Sequence, residues 1–416
     1  MLGFSGLPLP TLAFLAGSAT PRAAAAASSV LRVSTPPLAV LAEKKPLAVL
    51  ADKRSSALKA LSEGRLYSGA RETPKIAGGV KIGTRRLVVI TGASSGLGLS
   101  ATKALVDQGY FVIAAVRNPT KMDEVAKENG IKKSSYVAMR LELASLQSVK
   151  DFVNNLKFFL PARPISHLIC NAAVYLPTDP QPSWTDDGFE MSLGVNHLGH
   201  FLLLQLLLPE LKRAKNVAPR VVVVGSVTGN SNTIAGSFVK PVAELGELEG
   251  LRAGGARVSA MAASPREAFD GAKAYKDAKA LNMITVLEMH RRYHESTGII
   301  FSSIYPGCIA ETNLFRAKRK WFRDLFPVLM KSVGAFVSER EAGERLAQVI
   351  YDPECTKSGV YWSWNGNAKK FGVGNAGGGG GGKAAIFQNE FSGMISDERR
   401  GRLMWDYSMD LVKDYL

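Results

Sequence analysis

Cysteine is scarce in this 416-residue sequence, and the arrangement of the few cysteines excludes two kinds of site. Cys170, Cys308 and Cys355 form no CxxC pair and no even framework, so neither a disulfide scaffold nor a cysteine-based zinc site is expected. His290 and His294 stand four positions apart without the carboxylate of an HExxH motif, so we predict no metal site. Long apolar runs are also missing, because FLLLQLLL falls well short of the roughly 18 residues that a spanning helix needs. Once its leader is removed, the protein is expected to be soluble or peripheral.

Acidic residues are outnumbered by basic ones, which gives a formal net charge of +16. Such an excess suits nucleic acid, an anionic membrane surface or acidic small molecules. The densest basic run, FRAKRKWFRD, is short and lacks the aromatic interleaving typical of nucleic-acid binding. We therefore predict no nucleic-acid partner.

Residues 1–83 have the composition of a targeting leader followed by a low-complexity spacer. No acidic residue precedes Glu43, and a short apolar run is followed by a segment rich in Ala, Ser and Arg. The first part is typical of a secretory signal and the second of a plastid or mitochondrial transit peptide. Together they predict a two-part address, as used for plastids that are entered through the secretory route.

From Arg85 onward, apolar strand-like segments alternate with helical ones. RRLVVITGASSGLGLSATKALVDQG indicates a strand, a glycine turn and a helix, and YFVIAAVRN is the next strand. YVAMRLEL, ISHLICNAA, PRVVVVGSV and GIIFSSIYPG are further strand candidates. This alternation predicts an α/β fold with a doubly wound, Rossmann-like parallel sheet. We expect one domain over residues 84–416, with insertions near 230–270, 314–335 and 366–390.

The glycine turn predicts a site for the pyrophosphate of a dinucleotide. Gly92, Gly96 and Gly98 lie between a strand and a helix, where missing side chains let the backbone approach a phosphate. Arg117 ends the second strand, where an NAD enzyme usually offers a carboxylate for the ribose hydroxyls. An arginine there can pair with a 2′-phosphate, so we predict NADPH as the cofactor.

One helical stretch, from Asp270 to Glu295, carries Tyr275 and Lys279 close to its start. Residues four apart share a helix face, so the ammonium is expected to lower the pKa of the phenol and make it a usable proton donor. Such pairs are also common on solvated helix surfaces. The surrounding motifs decide between the two interpretations.

These motifs form an ordered series: TGxxxGxG, NAA from Asn171, Asn196 in GVNHLGHF, Ser226 after a strand, and YxxxK. The series resembles the short-chain dehydrogenase/reductase family from about Arg85 to the mid-300s. The resemblance implies that Tyr275 is the general acid, that Lys279 lowers its pKa and holds the nicotinamide ribose, and that Asn196 supports a proton relay through water.

The serine lies 49 positions before the tyrosine, against roughly a dozen in most family members. Thr228 is near enough to share or take over the role of Ser226, and the intervening insertion is expected at the mouth of the pocket. GSVTGNSNTIAG, FDGAKAYKDAKALNM, YPGCIAETNLFR and TKSGVYWSWN resemble the light-dependent protochlorophyllide oxidoreductases, a branch of the same superfamily.

That narrower resemblance implies light-driven reduction of the C17=C18 bond of protochlorophyllide with NADPH, a step of chlorophyll biosynthesis in plastids. It also implies peripheral contact with plastid thylakoid or inner-membrane lipid and homo-oligomerisation. Cys308 then lies in the pigment pocket and competes with Tyr275 as the proton source. An aromatic stripe follows Cys308 and consists of Phe315, Trp321, Phe322 and Phe326. It is interpreted equally well as a lid over the pigment or as part of the hydrophobic core.

The residues implied to carry the chemistry are Tyr275, Lys279, Asn196, Ser226, Thr228 and Cys308. Those implied to bind the cofactor are Thr91, Gly92, Ser94, Ser95, Gly96, Leu97, Gly98, Arg117, Asn171, Ala172, Tyr275, Lys279, Pro306 and Gly307. Those implied to contact the substrate are Tyr175, Tyr305, Cys308, Phe315, Trp321, Phe322 and Phe326.

Two other functions compete with a photoenzyme. One is a light-independent NADPH-dependent reductase of the same fold that acts on a retinoid, a lipid or a carbonyl compound. The other is a non-catalytic NADPH-binding scaffold or redox sensor. A scaffold needs none of Tyr275, Lys279, Asn196 and Ser226, and their joint presence favours an enzyme.

Overall fold

The computed structural model describes residues 82–160, 163–179, 181–214, 217–253, 269–309, 336–364 and 385–416, together with a few positions between 314 and 328. The leader and the aromatic stripe, with Phe315, Trp321, Phe322 and Phe326, lie outside the described residues. So do much of the insertion near 230–270 and most of the one near 366–390.

An eight-stranded sheet is the centre of the fold. Its strands are β1 (Leu87–Thr91), β2 (Phe111–Val116), β3 (Tyr136–Arg140), β4 (His167–Cys170), β5 (Arg220–Val224), β6 (Ile300–Ile304), β7 (Val360–Trp364) and β8 (Ile386–Asn389). They lie in the order β3-β2-β1-β4-β5-β6-β7-β8, and every pairing is parallel except that of β7 with β8. The predicted doubly wound sheet is confirmed. β7 and β8 were not predicted as strands.

Helices cover both faces of the sheet. In chain order they are α1 (Gly96–Asp107), α2 (Pro119–Glu128), α3 (Leu146–Phe159), α4 (Gly199–Lys212), α5 (Ile234–Phe238), α6 (Glu249–Arg252), α7 (Gly271–Met289), α8 (Glu295–Thr297), α9 (Glu339–Tyr351), α10 (Gly393–Ser396) and α11 (Glu398–Val412). The central strands are buried along their whole length, as expected for a parallel sheet with two covered faces. The predicted long helix from Asp270 is α7, which continues into a π-helical turn, His290–His294. None of the helices in the described ranges is long and apolar enough to cross a membrane.

The strand order indicates at which edge of the sheet a ligand is expected to bind. β1 pairs with β2 on one side and with β4 on the other, so the chain winds outward in opposite directions from the β1–β4 junction. In open α/β sheets the crevice at the carboxyl ends of two such strands is the usual ligand site. The functional site is therefore expected beyond Thr91 and Cys170, the last residues of β1 and β4.

Helices α1 and α9 pack so closely that only a glycine fits between them. A Cβ atom built on Gly343 of α9 would lie 2.4 Å from the Cβ of Ser100 and 2.6 Å from the backbone carbon of Ser100. Because α1 begins at the glycine turn, this contact braces the turn from the side of α9.

Gly343→Ala is expected to destabilise the protein. Alanine favours a helix by about 1 kcal/mol over glycine, but forcing α1 and α9 apart should cost more, since overpacking costs about 1–3 kcal/mol. The melting temperature, followed by circular dichroism, should fall by several degrees. Gly393→Ala is the matched control, because a Cβ on Gly393 meets nothing within 4 Å. Equal melting temperatures for the two variants would contradict the close packing.

Candidate active site

The predicted phosphate turn connects β1 to α1 in the geometry that a dinucleotide requires. Gly92 and Gly96 have φ values of 70° and 52°, which glycine adopts without strain. A Cβ on Gly98 would lie 2.2 Å from the carbonyl oxygen of Gly92, so the turn and the first helical residues fold against each other. Ser95 is the N-cap of α1, and its side chain makes no capping hydrogen bond. The start of α1 thus offers backbone N–H groups and a space without side chains, which fits a pyrophosphate. Ser94 and Leu97, also assigned to the cofactor, lie half-buried in this turn and first helical residues.

A buried hydroxyl ties the end of β1 to the end of β4. The Thr91 hydroxyl has one hydrogen and two lone pairs. It accepts the backbone N–H of Asn171 at 2.9 Å and that of Ala172 at 3.0 Å, so its hydrogen is donated to His200 Nε2 at 2.9 Å. His200 must then carry its own hydrogen on Nδ1, which donates to the Asn196 carbonyl at 3.1 Å. Burial lowers the pKa of His200 to about 4, which keeps this neutral form.

Asn171 and Asn196 use their side chains within the protein. Asn171 Nδ2 donates to the carbonyl of Thr91 at 2.8 Å. The Asn196 amide accepts from Val174 N at 2.8 Å and donates to Val174 O at 3.0 Å. The Asn196 carbonyl also accepts Asn282 Nδ2 at 2.9 Å. Asn196 therefore holds the segment after β4 in place, within a π-helical turn, Leu193–Leu198, of the kind often found at functional sites.

Tyr275 and Lys279 meet beside the end of β5. The Lys279 ammonium donates to the Val224 carbonyl at 2.8 Å and lies 5.8 Å from the centre of the Tyr275 ring. Burial lowers the pKa of Lys279 to about 8. Burial and the neighbouring Tyr175, whose ring centre is 4.8 Å away, raise the pKa of Tyr275, while a hydrogen bond with Ser226 acts in the opposite sense.

This result corrects the expectation that Lys279 lowers the pKa of Tyr275. The net shift of the Tyr275 pKa is upward, because the free-energy cost of removing the phenolate from water exceeds the stabilisation that its neighbours provide. The Lys279 ammonium is engaged by a backbone carbonyl instead of the phenol oxygen. Tyr275 accordingly keeps its proton at neutral pH and can act as a donor.

The two candidate hydroxyl residues after β5 form one unit. Ser226 Oγ and Thr228 Oγ1 are 2.8 Å apart, and both side chains are half-buried. Ser226 also caps the short 3-10 turn Val227–Gly229 by accepting the N–H of Thr228. The Ser226 hydroxyl, which lowers the pKa of Tyr275, is thus paired with Thr228.

The turn after β6 brings Tyr305, Pro306, Gly307 and Cys308 to the same edge of the sheet. Gly307 has a φ of 123°, and a Cβ on it would lie 2.4 Å from Val337. Tyr305 and Cys308 are half-buried. Burial raises the pKa of Cys308 to about 11 and raises the pKa of Tyr305 as well. Both groups keep their protons at neutral pH.

Part of the insertion between Ser226 and Tyr275 is anchored on the side of α7 that faces away from these two residues. Lys276 Nζ donates to the carbonyls of Val239 and Pro241 at 2.7 and 2.6 Å. Asp277 Oδ1 accepts the N–H of Glu244 at 2.9 Å. Its other oxygen pairs with Lys273 at 2.6 Å, and Lys273 also donates to the Glu244 carbonyl. These three side chains, the insertion anchor, satisfy the backbone of a segment that has no helix or strand.

Sequence reasoning missed His200, the insertion anchor and Arg345, which donates to the Pro306 carbonyl at 2.8 Å. GVNHLGHF was noted for its asparagine, and its second histidine was the available signal.

Among the described residues there is no group of three or more His, Cys, Asp or Glu that could hold a metal ion. The His290 and His294 rings lie 5.1 Å apart, with their Nδ1 atoms bonded to Ser358 Oγ and the Ile299 carbonyl.

Comparisons with known proteins find a matching family model, curated relatives and solved structures of similar fold. The family model described as short chain dehydrogenase matches residues 86–238. Protochlorophyllide reductase of Cucumis sativus chloroplasts is 49% identical over 354 residues, which cover 84% of both chains. Protochlorophyllide reductase A of Oryza sativa subsp. japonica, also chloroplastic, is 50% identical over 340 residues, covering 81% of this chain and 83% of that one. A solved 3-ketoacyl-(acyl-carrier-protein) reductase from Brucella melitensis, complexed with NADH, gives a TM-score of 0.47 at 21% identity, with 66% of this chain and 95% of that chain covered.

Arg117 follows β2 directly and is exposed at the carboxyl edge of the sheet. Arg117→Asp is expected to weaken NADPH binding at least tenfold, because a carboxylate there repels the 2′-phosphate, while NADH binding changes little. Fluorescence titration with each nucleotide would measure both. Arg402→Asp, which alters an exposed arginine on α11, is the control. Equal losses for the two nucleotides would remove the assignment of Arg117 to the 2′-phosphate.

Proposed function

Because the chain belongs to the protochlorophyllide reductase family of short-chain dehydrogenases, we propose that it reduces the C17=C18 double bond of protochlorophyllide to give chlorophyllide. The reaction uses NADPH, is driven by light and is a step of chlorophyll biosynthesis. The observation that carries this proposal is the identity of about half of all positions over some four-fifths of the chain. The meeting of Tyr275, Lys279 and Ser226 at the carboxyl edge of the sheet supports it.

Reduction of a C=C bond requires a hydride on one carbon and a proton on the other. NADPH supplies the hydride when it is bound. The protein's own part is to hold a dinucleotide on the turn from Gly92 to Gly98, to place a proton donor, and to keep water away from the reacting carbons. The absence of side chains at Gly92 and Gly98 fits the first task.

Two residues are suited to give the proton. Tyr275 and Cys308 are both protonated at neutral pH, because burial raises both pKa values. The Ser226 hydroxyl lowers the pKa of Tyr275 and is hydrogen-bonded to Thr228, so this hydroxyl pair lies next to the phenol. We assign the role of donor to Tyr275, with Lys279 as the nearby cation and Cys308 as a wall of the pigment pocket. Tyr175 and Tyr305 are assigned to the pigment as well.

Outside the active site, we infer that residues 1–83 are a targeting leader that directs the protein to plastids. The leader's composition and the chloroplastic relatives support this. Import into isolated chloroplasts should shorten the chain at its N-terminus. An unshortened imported chain would count against a cleaved leader. Lipid contact and self-association are part of the same proposal, and the basic net charge of the chain supports the lipid contact.

The function is tested with protein that lacks the leader, mixed in darkness with NADPH and protochlorophyllide. Absorbance is recorded before and after one brief flash. The pigment band should shift to the red on mixing and shift again to the product position only after light. Conversion in darkness would indicate a light-independent reductase, and NADPH binding without any pigment shift would indicate a different substrate.

Tyr275→Phe in the same assay should bind NADPH and pigment but lose about 10²-fold or more in product yield per flash, because general acid catalysis contributes about that much. Tyr407→Phe, at a half-buried position on α11, is the matched control. Full yield from Tyr275→Phe would move the role of proton donor to Cys308.

A further inference from the structure

Arg345 is a buried cation with an unusually complete set of partners. It lies on α9, only 8% of its surface is exposed, and one guanidinium nitrogen donates to the Pro306 carbonyl at 2.8 Å. A second nitrogen pairs with Glu341 at 2.6 Å, one helical turn earlier. The guanidinium also lies over the Trp364 ring, 5.5 Å from its centre. These contacts use its planar shape, which a lysine cannot reproduce.

The turn that Arg345 holds lies beyond the last residue of β6, and its Cys308 forms an isolated β-bridge with Phe336. Gly307 has a φ of 123°, and a Cβ on it would meet Val337 at 2.4 Å and the Arg345 guanidinium at 3.0 Å. The turn is fixed at two carbonyl groups. Pro306 O accepts from Arg345, and Cys308 O accepts the N–H of Val337 at 3.0 Å. Of these two bonds, only the first comes from a side chain.

Helix α9 also supports the nucleotide side of the site. Gly343 packs directly on Ser100 of α1, the helix that starts at the phosphate turn. Two positions along a helix correspond to a rotation of about 200°, so Gly343 and Arg345 point to different neighbours. One helix therefore braces α1 through Gly343 and the turn of Tyr305 and Cys308 through Arg345.

We propose that Arg345 is a positioning residue that sets the location of Tyr305 and Cys308 for the substrate, through its bond to the Pro306 carbonyl. The substrate side of this inference rests on the proposed function. Arg345 is 8% exposed and its guanidinium is engaged by the Pro306 carbonyl and Glu341, so it acts through the turn. Its effect on the turn can be measured without either, because Cys308 carries a thiol whose accessibility reports the state of the turn.

The chain supplies a closely matched control in Arg220. It is also 8% exposed, and it donates to the carbonyls of Val349 and Asp352 at 2.8 Å, at the other end of α9. Arg220 begins β5 and so lies at the amino edge of the sheet, away from the site. Removing either guanidinium leaves buried carbonyl groups unpaired, so the two losses of stability should be similar.

The experiment compares Arg345→Met and Arg345→Lys with Arg220→Met and Arg220→Lys. The first readout, taken in protein without ligands, is the rate of Cys308 alkylation by iodoacetamide, assigned by peptide mass. Cys170 and Cys355 are buried and serve as internal references. The second readout is the KM for protochlorophyllide. The dissociation constant of NADPH is measured in the same variants, so that effects on the substrate and on the cofactor can be compared. Melting temperatures are recorded for all four variants.

Both Arg345 variants should change the Cys308 alkylation rate at least threefold and raise the KM for protochlorophyllide about tenfold, the effect of one charge-assisted hydrogen bond. The NADPH dissociation constant should rise by a smaller factor than the KM, because Pro306 and Gly307 of the same turn are assigned to the cofactor. The Arg220 variants should lose similar stability and leave Cys308 and the KM unchanged. An alkylation rate that is unaltered in the Arg345 variants, or altered equally in both pairs, would overturn the proposal. If alkylation changes as expected but wild-type protein turns over no pigment, the proposed function fails and the role of Arg345 in holding the turn stands.

Discussion

The hydroxyl of Thr91 is the point on which the arrangement of the site depends. It receives two backbone N–H groups from the segment after β4 and gives its hydrogen to His200, which in turn bonds the carbonyl of Asn196. The end of β1, the end of β4 and the π-helical turn before α4 are thereby locked in one hydrogen-bonded unit. Because Thr91 is fully buried, losing any member would leave polar groups unpaired in an apolar interior. The glycine turn after β1 and helix α7 are joined to the same unit, because Asn282 of α7 donates to the Asn196 carbonyl.

The second constraint is the removal of water from the groups that carry protons. Burial raises the pKa values of the acids Tyr275, Tyr305 and Cys308. It lowers the pKa of the Lys279 ammonium. A pocket of this kind stabilises neutral forms. Its acids keep their protons until a reaction generates negative charge beside them, which is the condition for a donor to a nascent carbanion.

The sequence was sufficient for the features that depend on local rules. Apolar runs separated by a glycine turn predicted β1, α1 and β2, and the helix predicted from Asp270 is α7, which carries Tyr275 and Lys279. It was insufficient where distant segments meet. His200 and Arg345 act through partners more than 35 positions away, and no periodicity reports such contacts. β7 and β8 are short strands that flank a glycine-rich stretch, and they pair antiparallel at the edge of the sheet.

The pKa of Tyr275 illustrates the same limit. Spacing correctly placed the ammonium of Lys279 near the phenol, but the sign of the shift depends on burial and on the Val224 carbonyl that competes for that ammonium. Neither quantity can be obtained from two residues on a helical wheel. Electrostatic effects depend on the whole environment, which only the folded chain provides.

The insertion anchor separates two tasks on a single helix. Lys273, Lys276 and Asp277 bond to the insertion, while Tyr275 and Lys279 meet beside the end of β5. Since these side chains bond to main-chain atoms of Val239, Pro241 and Glu244, their attachment does not depend on which side chains the insertion carries there. The attachment of the loop therefore tolerates exchange of the exposed Val239 side chain, whereas Ala243, Leu245, Leu248 and Leu251 are buried in the core and constrain the rest of the described loop.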